Sequence, residues 1–361
     1  MPPVRAQVRL AGLTTLGVGG PARRFVRAST DAQLIAAVRA ADGQGEPLLI
    51  LGGGSNLVIA DGGFPGTVVQ VATRGIGHSA DPGGPAAVRL TVAAGEDWDG
   101  VVASCVAAGL AGLECLSGIP GLTGATPIQN VGAYGQEVAE LISTVRVYDR
   151  VTGAERELAG ADCGFGYRTS LFKQDRSGRL VVLGVTFRLA RGELSGPVRY
   201  AELARALGVP DGGQAPLGAV RAAVLGLRQG KGMVIDPADP DSRSAGSFFT
   251  NPVLDDAQFA ALEKIVAERS GGAAVPIPQF PAGPGQVKVP AAWLIGQAGF
   301  HKGDVGPGGA RISAKHTLAL VNAGGATAAD IAGLARQIRD QVRDVLGVEL
   351  ACEPVLVGLA L

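Results

Sequence analysis

The chain is poor in the residues that most often hold metals. It has three histidines, His78, His301 and His316, and four cysteines, Cys105, Cys115, Cys163 and Cys352. No two cysteines stand as Cys-x-x-Cys, and the histidines form no ligand spacing with them, so no metal site is expected. Scattered cysteines without a framework fit a reducing cytosol. Net charge is missing too. The 32 basic residues balance 32 acidic ones, which leaves no electrostatic case for nucleic acid or an anionic membrane surface. No apolar run is long and unbroken enough to span a bilayer. The first residues, Met-Pro-Pro-Val-Arg-Ala-Gln-Val-Arg, lack an apolar h-region, so no signal peptide is expected. There is no G-x-x-x-x-G-K-[ST], and a P-loop NTPase is not supported.

What the chain has in quantity is apolar residues, 47% of 361, and glycine, 56 residues. The length allows two or three domains with a large core. Arginine exceeds lysine 26 to 6, which with the abundant Ala and Gly reads as GC-rich coding. One stretch stands out. From Cys115 to Gln136 there is no charged residue, yet five glycines and two prolines would interrupt any spanning helix. Gly118, Gly121 and Gly124 recur every third residue and let backbone N–H groups approach a ligand such as a phosphate. Gln129 and Asn130 add amides that both donate and accept. This is either a neutral cradle for a large, partly anionic cofactor or a tight buried crossover between strands.

Upstream, Thr30 and Gln33 have capping-box spacing before Leu34, Ile35 and Val38, which predicts a helix. Pro47–Leu51 reads as a buried strand running into Gly52-Gly53-Gly54-Ser55-Asn56-Leu57. Gly52 and Gly54 fit G-x-G-x-x-G, but Leu57 takes the third glycine position and no helix pattern follows, so a Rossmann unit is refused. The loop fits a phosphate nest or a hairpin turn. Strands are predicted at 67–71 and 86–94, then a helix capped by Asp97 and ending near Gly109. Ile142–Asp149 and Leu180–Leu189 predict an antiparallel sheet, and helical patterns follow at Tyr200–Leu207 and Pro216–Gln229. A Pro- and Asp-rich break at 236–251 marks a boundary. Beyond it, helices are expected at about 256–269, 290–298 and 327–346, with strands near 310–321 and 348–358. Thr327 and Asp330 form a capping pair, and Gly347 ends the last helix. Pro276–Pro290 reads as an ordered loop.

Four separated motifs then agree. They are Leu51–Asn56, Ser117-Gly118-Ile119-Pro120-Gly121 through Gln129-Asn130-Val131-Gly132-Ala133-Tyr134-Gly135, Gly166-Tyr167-Arg168, and Gly246-Ser247-Phe248-Phe249-Thr250-Asn251-Pro252. In order and spacing they closely resemble the UDP-N-acetylenolpyruvoylglucosamine reductase family, over roughly residues 12–358. The resemblance implies an α+β fold with a two-subdomain FAD-binding unit of the vanillyl-alcohol-oxidase (PCMH) type and an α+β substrate-binding domain. The subdomains fall at 12–75 and 76–236, the substrate domain at 237–353, and a C-terminal strand in 354–361 returns to the first subdomain. It implies non-covalent FAD, NADPH as co-substrate, and reduction of UDP-N-acetylglucosamine enolpyruvate to UDP-N-acetylmuramate. The expected setting is a cytoplasmic monomer in peptidoglycan precursor synthesis.

The resemblance also assigns residues. Arg168 matches the arginine that stabilises the substrate carboxylate, a task its planar fork suits; the alternative reading is a surface ion pair. Ser247 matches the proton donor to C2 and Glu353 the carboxylate that acts with Arg168 on the enol. Glu349 is a nearby competitor whose surroundings match less well. Cys352 stands where proline is usual. Cofactor contacts are expected from Gly52, Gly53, Gly54, Ser55, Asn56, Ser117, Gly118, Ile119, Pro120, Gly121, Gly124, Gln129, Asn130, Gly132 and Tyr134. Ala125-Thr126 replaces the commoner glycine and alanine with residues still small. Substrate contacts are expected from Tyr167, Tyr200, Lys231, Asn251 and Gln297, with Lys231 serving the substrate diphosphate or NADPH. Two other classes stay open: an alcohol or hydroxy-acid oxidase of the same fold, which would want a base such as histidine, absent from these motifs, and a non-catalytic flavin-binding module.

Overall fold

The computed structural model describes residues 2–175, 177–271 and 275–361. The chain forms two compact units. The first comprises residues 1–8, 22–54 and 64–234, the second 9–21, 55–63 and 235–361.

The first unit is built on two sheets. One has the order Val4–Arg9, Pro21–Ala28, Phe64–Val71, Leu48–Leu51, and its last three strands are parallel. The helix Asp31–Gly43 connects two of them. It starts where Thr30 accepts from the Gln33 N–H and turns Leu34, Ala37, Val38 and Ala41 inward at helical spacing. The second sheet is antiparallel, in the order Ala154–Ala159, Ile142–Asp149, Leu180–Arg191, Ala87–Ala93, Ile76–Ala80. Val145, Val147, Val185, Phe187, Leu189, Leu90 and Val92 from its strands join Trp98 and Val102 of the helix Trp98–Ala107 in the main core. A satellite cluster joins Cys115 to Leu203, Val220 and Val224 of the helices Ala201–Leu207 and Leu217–Gln229.

In the second unit the amphipathic helix Ala328–Leu346 buries Ile331, Leu334, Ile338 and Val342 against the strands Ala310–Ile312 and Ala319–Asn322. Each of these aliphatic side chains contributes about 1.5–3 kcal/mol by burial. The helix begins in the expected Thr327–Asp330 capping box and ends at Gly347, φ +69°. Its first N–H groups also donate to a residue distant in sequence: Ala328 and Ala329 reach the Asp61 carboxylate at 2.9 and 3.0 Å. The strand Leu57–Ile59 pairs in parallel with Val355–Val357. Stretch 55–63 therefore clusters with 9–21 and the C-terminal part of the chain, 235–361, and not with 22–54.

Four sequence expectations need correction. Leu48–Leu51 and Leu57–Ile59 belong to different sheets, so the glycine loop between them is not a hairpin turn. Pro276–Pro290 is not all loop: Phe280–Gly283 and Gln286–Lys288 pair antiparallel. Gly283 and Gly285, at φ +137° and +66°, make the turn, and Pro281 is accommodated because its strand is an edge. The strand expected at 310–321 is two strands joined by a turn in which Ser313 Oγ accepts from the Lys315 and His316 N–H groups. The strand expected at 348–358 shortens to Val355–Val357, preceded by an isolated bridge between Phe249 and Cys352.

Candidate active site

The two glycine motifs meet in the first unit. A Cβ on Gly53 would lie 2.8 Å from Gly121 Cα, so the loops approach backbone to backbone. The 117–124 segment is held from behind. Gly121 O accepts from Trp98 N at 3.1 Å, and Thr123 and Gly124 donate to Glu96 O and Ala94 O at 2.9 Å each. Gly118 is pinned by Asp99, which accepts its N–H at 2.6 Å while forming a bidentate pair with Arg221 at 2.6 and 2.8 Å. Burial opposes charge on Asp99, but Arg221 and the Gly118 N–H outweigh it and hold the carboxyl below its usual range. The Gly118 N–H is thus spent on the Asp99 carboxylate and is not offered to a ligand. Ser117 is fully buried, its hydroxyl donating to Glu114 O at 2.7 Å. Several glycines of the cradle are close-packing positions: a Cβ on Gly124 would meet Ala94 Cβ at 2.6 Å, and one on Gly118 would meet Leu225 Cδ2 at 2.8 Å. Gly52 differs, because its Cβ would meet nothing nearer than Leu122 Cδ1 at 4.0 Å.

Asn130 knots two motifs together. Its amide donates to Glu137 Oε2 at 2.7 Å and to Gly166 O at 2.9 Å, and its carbonyl accepts from Ala139 N at 3.2 Å. Gly166 and Thr169 exchange backbone hydrogen bonds at 3.1 Å, which makes Tyr167-Arg168 the tip of a tight turn. From that tip Arg168 Nη2 donates to Gly132 O at 2.8 Å, and the guanidinium lies 5.5 Å from the Tyr167 ring centroid. Asn130, Tyr134 and Arg168 have φ of +43°, +51° and +52°; among the described residues Gln7 is the other non-glycine with positive φ. Such conformations cost about 1–3 kcal/mol each and persist only where surrounding structure enforces them. Gln129 Oε1 accepts from Lys173 Nζ at 2.9 Å.

Three charged or aromatic groups line up beside the cradle. Tyr134 meets Tyr200 edge-on at 5.4 Å, and Lys231 Nζ lies 5.8 Å from the Tyr134 centroid. Burial pushes the Tyr134 hydroxyl up to about 12, so it stays protonated. Arg228, in the last turn of the helix Leu217–Gln229, was not singled out by the sequence. Its Nη2 donates to Met233 O at 2.8 Å, but its Nε is shut off from solvent and has no hydrogen-bond partner among the described residues. Burial lowers its basicity. That Nε is 3.5 Å from where a Gly118 Cβ would stand. A helical arginine spaced seven residues from Arg221 carries no local signal that one pairs with Asp99 and the other keeps a spare donor.

In the second unit the stretch that follows Ser247 pairs with the stretch that ends at Glu353. Glu353 N donates to Phe248 O at 2.9 Å, Thr250 N donates to Ala351 O at 3.0 Å, and Phe249 bridges Cys352. Phe248 and Phe249 are buried in its core and anchor the strand from which Ser247 emerges half-buried after Gly246, φ +76°. Glu353 is likewise half-buried, whereas Glu349 is exposed and pairs with Arg339 and Arg343 at 3.7 and 3.9 Å. Asn251 accepts from Ala291 N at 2.9 Å and so steadies the helix Ala291–Gln297, whose last residue, Gln297, is exposed. Ser55 and Asn56 belong to this unit, with Asn56 O accepting from Val355 N at 2.9 Å. The thiols of Cys105 and Cys115 are pushed up to about 12 by burial and are inert. No metal-binding cluster occurs among the described residues, and none of their helices is long and apolar enough to cross a membrane.

Residues 22–158, which hold both glycine loops, match the model of an FAD-binding domain, and that makes this an FAD-binding protein. Residues 237–357 match the C-terminal domain of UDP-N-acetylenolpyruvoylglucosamine reductase. The reductase of that name from Thermobifida fusca is 55% identical over 354 residues, covering 98% of both chains. That from Streptomyces coelicolor is 57% identical, covering 98% of this chain and 90% of its own. The crystal structure of the Thermus caldophilus reductase aligns over 99% of this chain with a TM-score of 0.60 at 26% identity. The chain belongs to the UDP-N-acetylenolpyruvoylglucosamine reductase family, a family of FAD-binding oxidoreductases. The α+β class and the FAD-binding unit expected from the sequence are both found.

Proposed function

We propose that this chain reduces UDP-N-acetylglucosamine enolpyruvate to UDP-N-acetylmuramate with NADPH, as a cytoplasmic monomer in peptidoglycan precursor synthesis. A flavin unit of two subdomains, about 12–75 and 76–236, would serve a substrate-binding region at 237–353. The residues present fit FAD. Gly52 is a glycine for which protein packing gives no reason, and the buried Arg228 Nε has a spare N–H beside the cradle. Gly52–Gly54, the 117–124 backbone, Tyr134 and Arg228 would hold the cofactor. When bound, FAD accepts hydride from NADPH and supplies it to substrate C3.

The chain's own residues then have three tasks. Negative charge moves to C2 and the carboxylate as C3 gains hydride. Arg168, fixed by Gly132 O and the Asn130-anchored turn, would stabilise that carboxylate with its guanidinium. Ser247 gives its proton to C2; a hydroxyl suffices because the carbon is strongly basic. Glu353 acts with Arg168 on the enol. Lys231 meets the substrate diphosphate, and Tyr167, Tyr200, Asn251 and Gln297 complete the substrate contacts. The observation that supports this reading is the backbone pairing of 248–250 with 351–353, which runs the stretch just after Ser247 alongside the stretch that ends at Glu353. An oxidase would need a base here, and no histidine lies in the four motifs.

Anaerobic absorption spectra test it. NADPH should bleach the flavin and enolpyruvyl-UDP-GlcNAc should restore it. Ser247→Ala should still bleach but recover about 10²–10⁴-fold more slowly, the range for a lost general acid. Wild-type bleaching without recovery would assign the reduced flavin to another acceptor, and unchanged recovery in Ser247→Ala would remove Ser247 from proton transfer.

A further inference from the structure

Lys231 already has an anion. Its Nζ lies 2.6 Å from Glu202 Oε2, and the two side chains are 33% and 36% exposed. Glu202 stands in the first turn of the helix Ala201–Leu207, which Tyr200 immediately precedes. One short segment therefore delivers an aromatic ring to Tyr134 and a carboxylate to Lys231. The segment runs close to the cradle: a Cβ on Gly135 would lie 3.2 Å from Arg199 Cβ, and Arg199 pairs with Glu140 at 3.6 Å.

We infer that Glu202 is a built-in competitor for the anionic ligand of Lys231, so that a nucleoside diphosphate binds by exchanging one ion pair for another. The inference rests on the reading of Lys231 as a diphosphate contact. An ammonium at 2.6 Å from a carboxylate has its charge largely satisfied. A diphosphate brings two or more charges and can displace that carboxylate. A neutral or weakly anionic ligand gains nothing by doing so and leaves the pair closed. Breaking the pair costs the same whichever anion does it, so Glu202 lowers the affinity of every ligand that displaces it by one factor, and only a ligand whose contacts with Lys231 exceed that cost opens the pair. The pair is partly exposed, so water can hydrate each partner during exchange and the penalty is modest.

Calorimetric titration of oxidised, FAD-loaded protein with UDP tests this without turnover. Glu202→Gln, and Glu202→Ala as a second variant, should bind UDP roughly two- to fivefold more tightly than wild type, the factor for releasing a partly exposed ion pair. Lys231→Met should bind more weakly, and Lys231→Met/Glu202→Gln should match Lys231→Met alone. Equal or weaker UDP binding in both Glu202 variants, with FAD retained, would overturn the inference and leave the proposed reaction standing. A gain that survives in the Lys231→Met background would also overturn it, because Glu202 would then act by general repulsion. No UDP binding by FAD-loaded wild type would remove the nucleotide reading of Lys231, and the inference with it.

Discussion

Gly52 and Gly53 are adjacent, and the structure gives them different reasons to lack a Cβ. Neither sits in the left-handed region, so backbone strain is not the reason for either. A methyl on Gly53 would stand 2.8 Å from Gly121 Cα, 3.3 Å from Gly121 C and 3.5 Å from Leu122 N. Carbon atoms pack at about 3.5–4.0 Å, so one loop must retreat by roughly 0.7–1.2 Å. The Gly121 loop cannot yield easily, because Trp98, Glu96 and Ala94 hold it by backbone hydrogen bonds. Overpacking of this kind costs about 1–3 kcal/mol, offset by about 0.4–1 kcal/mol from the stiffer unfolded chain. Gly53→Ala should therefore destabilise FAD-free protein by up to roughly 2.6 kcal/mol. Gly52→Ala meets open space and should leave FAD-free stability unchanged or slightly raised. If Gly52 faces the cofactor, the same methyl should weaken FAD by about tenfold or more, equivalent to about 1.4 kcal/mol. Urea denaturation of FAD-free protein and FAD titration separate the two effects. Equal FAD-free stability of the two variants would refute the steric reasoning, and unchanged FAD affinity in Gly52→Ala would remove Gly52 from the cofactor site.

Two further outcomes follow from groups behind the site. Asp99 has its pKa lowered on folding, so its contribution is fully present above the unfolded carboxylate value near 4 and is lost as pH falls through the folded value. Asp99→Asn should lose about 1 kcal/mol at pH 7, after discount for solvent screening, and melting curves of variant and wild type should converge below about pH 4; a constant gap down to pH 3 would contradict the assignment. Asn130 is fully buried with its amide and carbonyl both engaged, so Asn130→Ala should cost about 2–4 kcal/mol in urea denaturation. Asn130→Gly loses the same bonds but tolerates φ +43° and should be more stable than Asn130→Ala by about 1 kcal/mol; the reverse order would refute the left-handed conformation.

What the sequence could and could not show follows the range of the forces involved. Capping at Thr30 and Thr327 and the termination at Gly347 depend on residues three or four apart, and each is found where the local pattern places it. The apolar strands 67–71, 86–94, 142–149 and 180–189 were legible because burial on a sheet imposes its own periodicity. Partners far along the chain were not legible. Asp61 lies in an Asp-Gly-Gly turn that reads only as punctuation, yet it caps a helix that begins at residue 328 and helps place 55–63 with the C-terminal unit. Glu202 and Arg228 are ordinary helix residues until tertiary contact gives one of them Lys231 and leaves the other a buried Nε with no acceptor among the described residues.

The glycine cradle shows the same division within a single motif. Its composition implied backbone approach, and the approach is real, but much of it is protein to protein: Gly53 on Gly121, Gly124 on Ala94, and the Gly118 N–H on Asp99. Asn130, chosen for its spare amide, spends that amide on the turn that carries Arg168. The motif therefore works in two layers. An inner layer of glycines and one asparagine locks the loops to each other and enforces the unfavourable φ of Asn130, Tyr134 and Arg168. An outer layer, Gly52 and the Arg228 donor, is left over once packing is satisfied. Local rules are broken where the inner layer is tightest, and it is the outer layer that has chemistry to spare for a ligand.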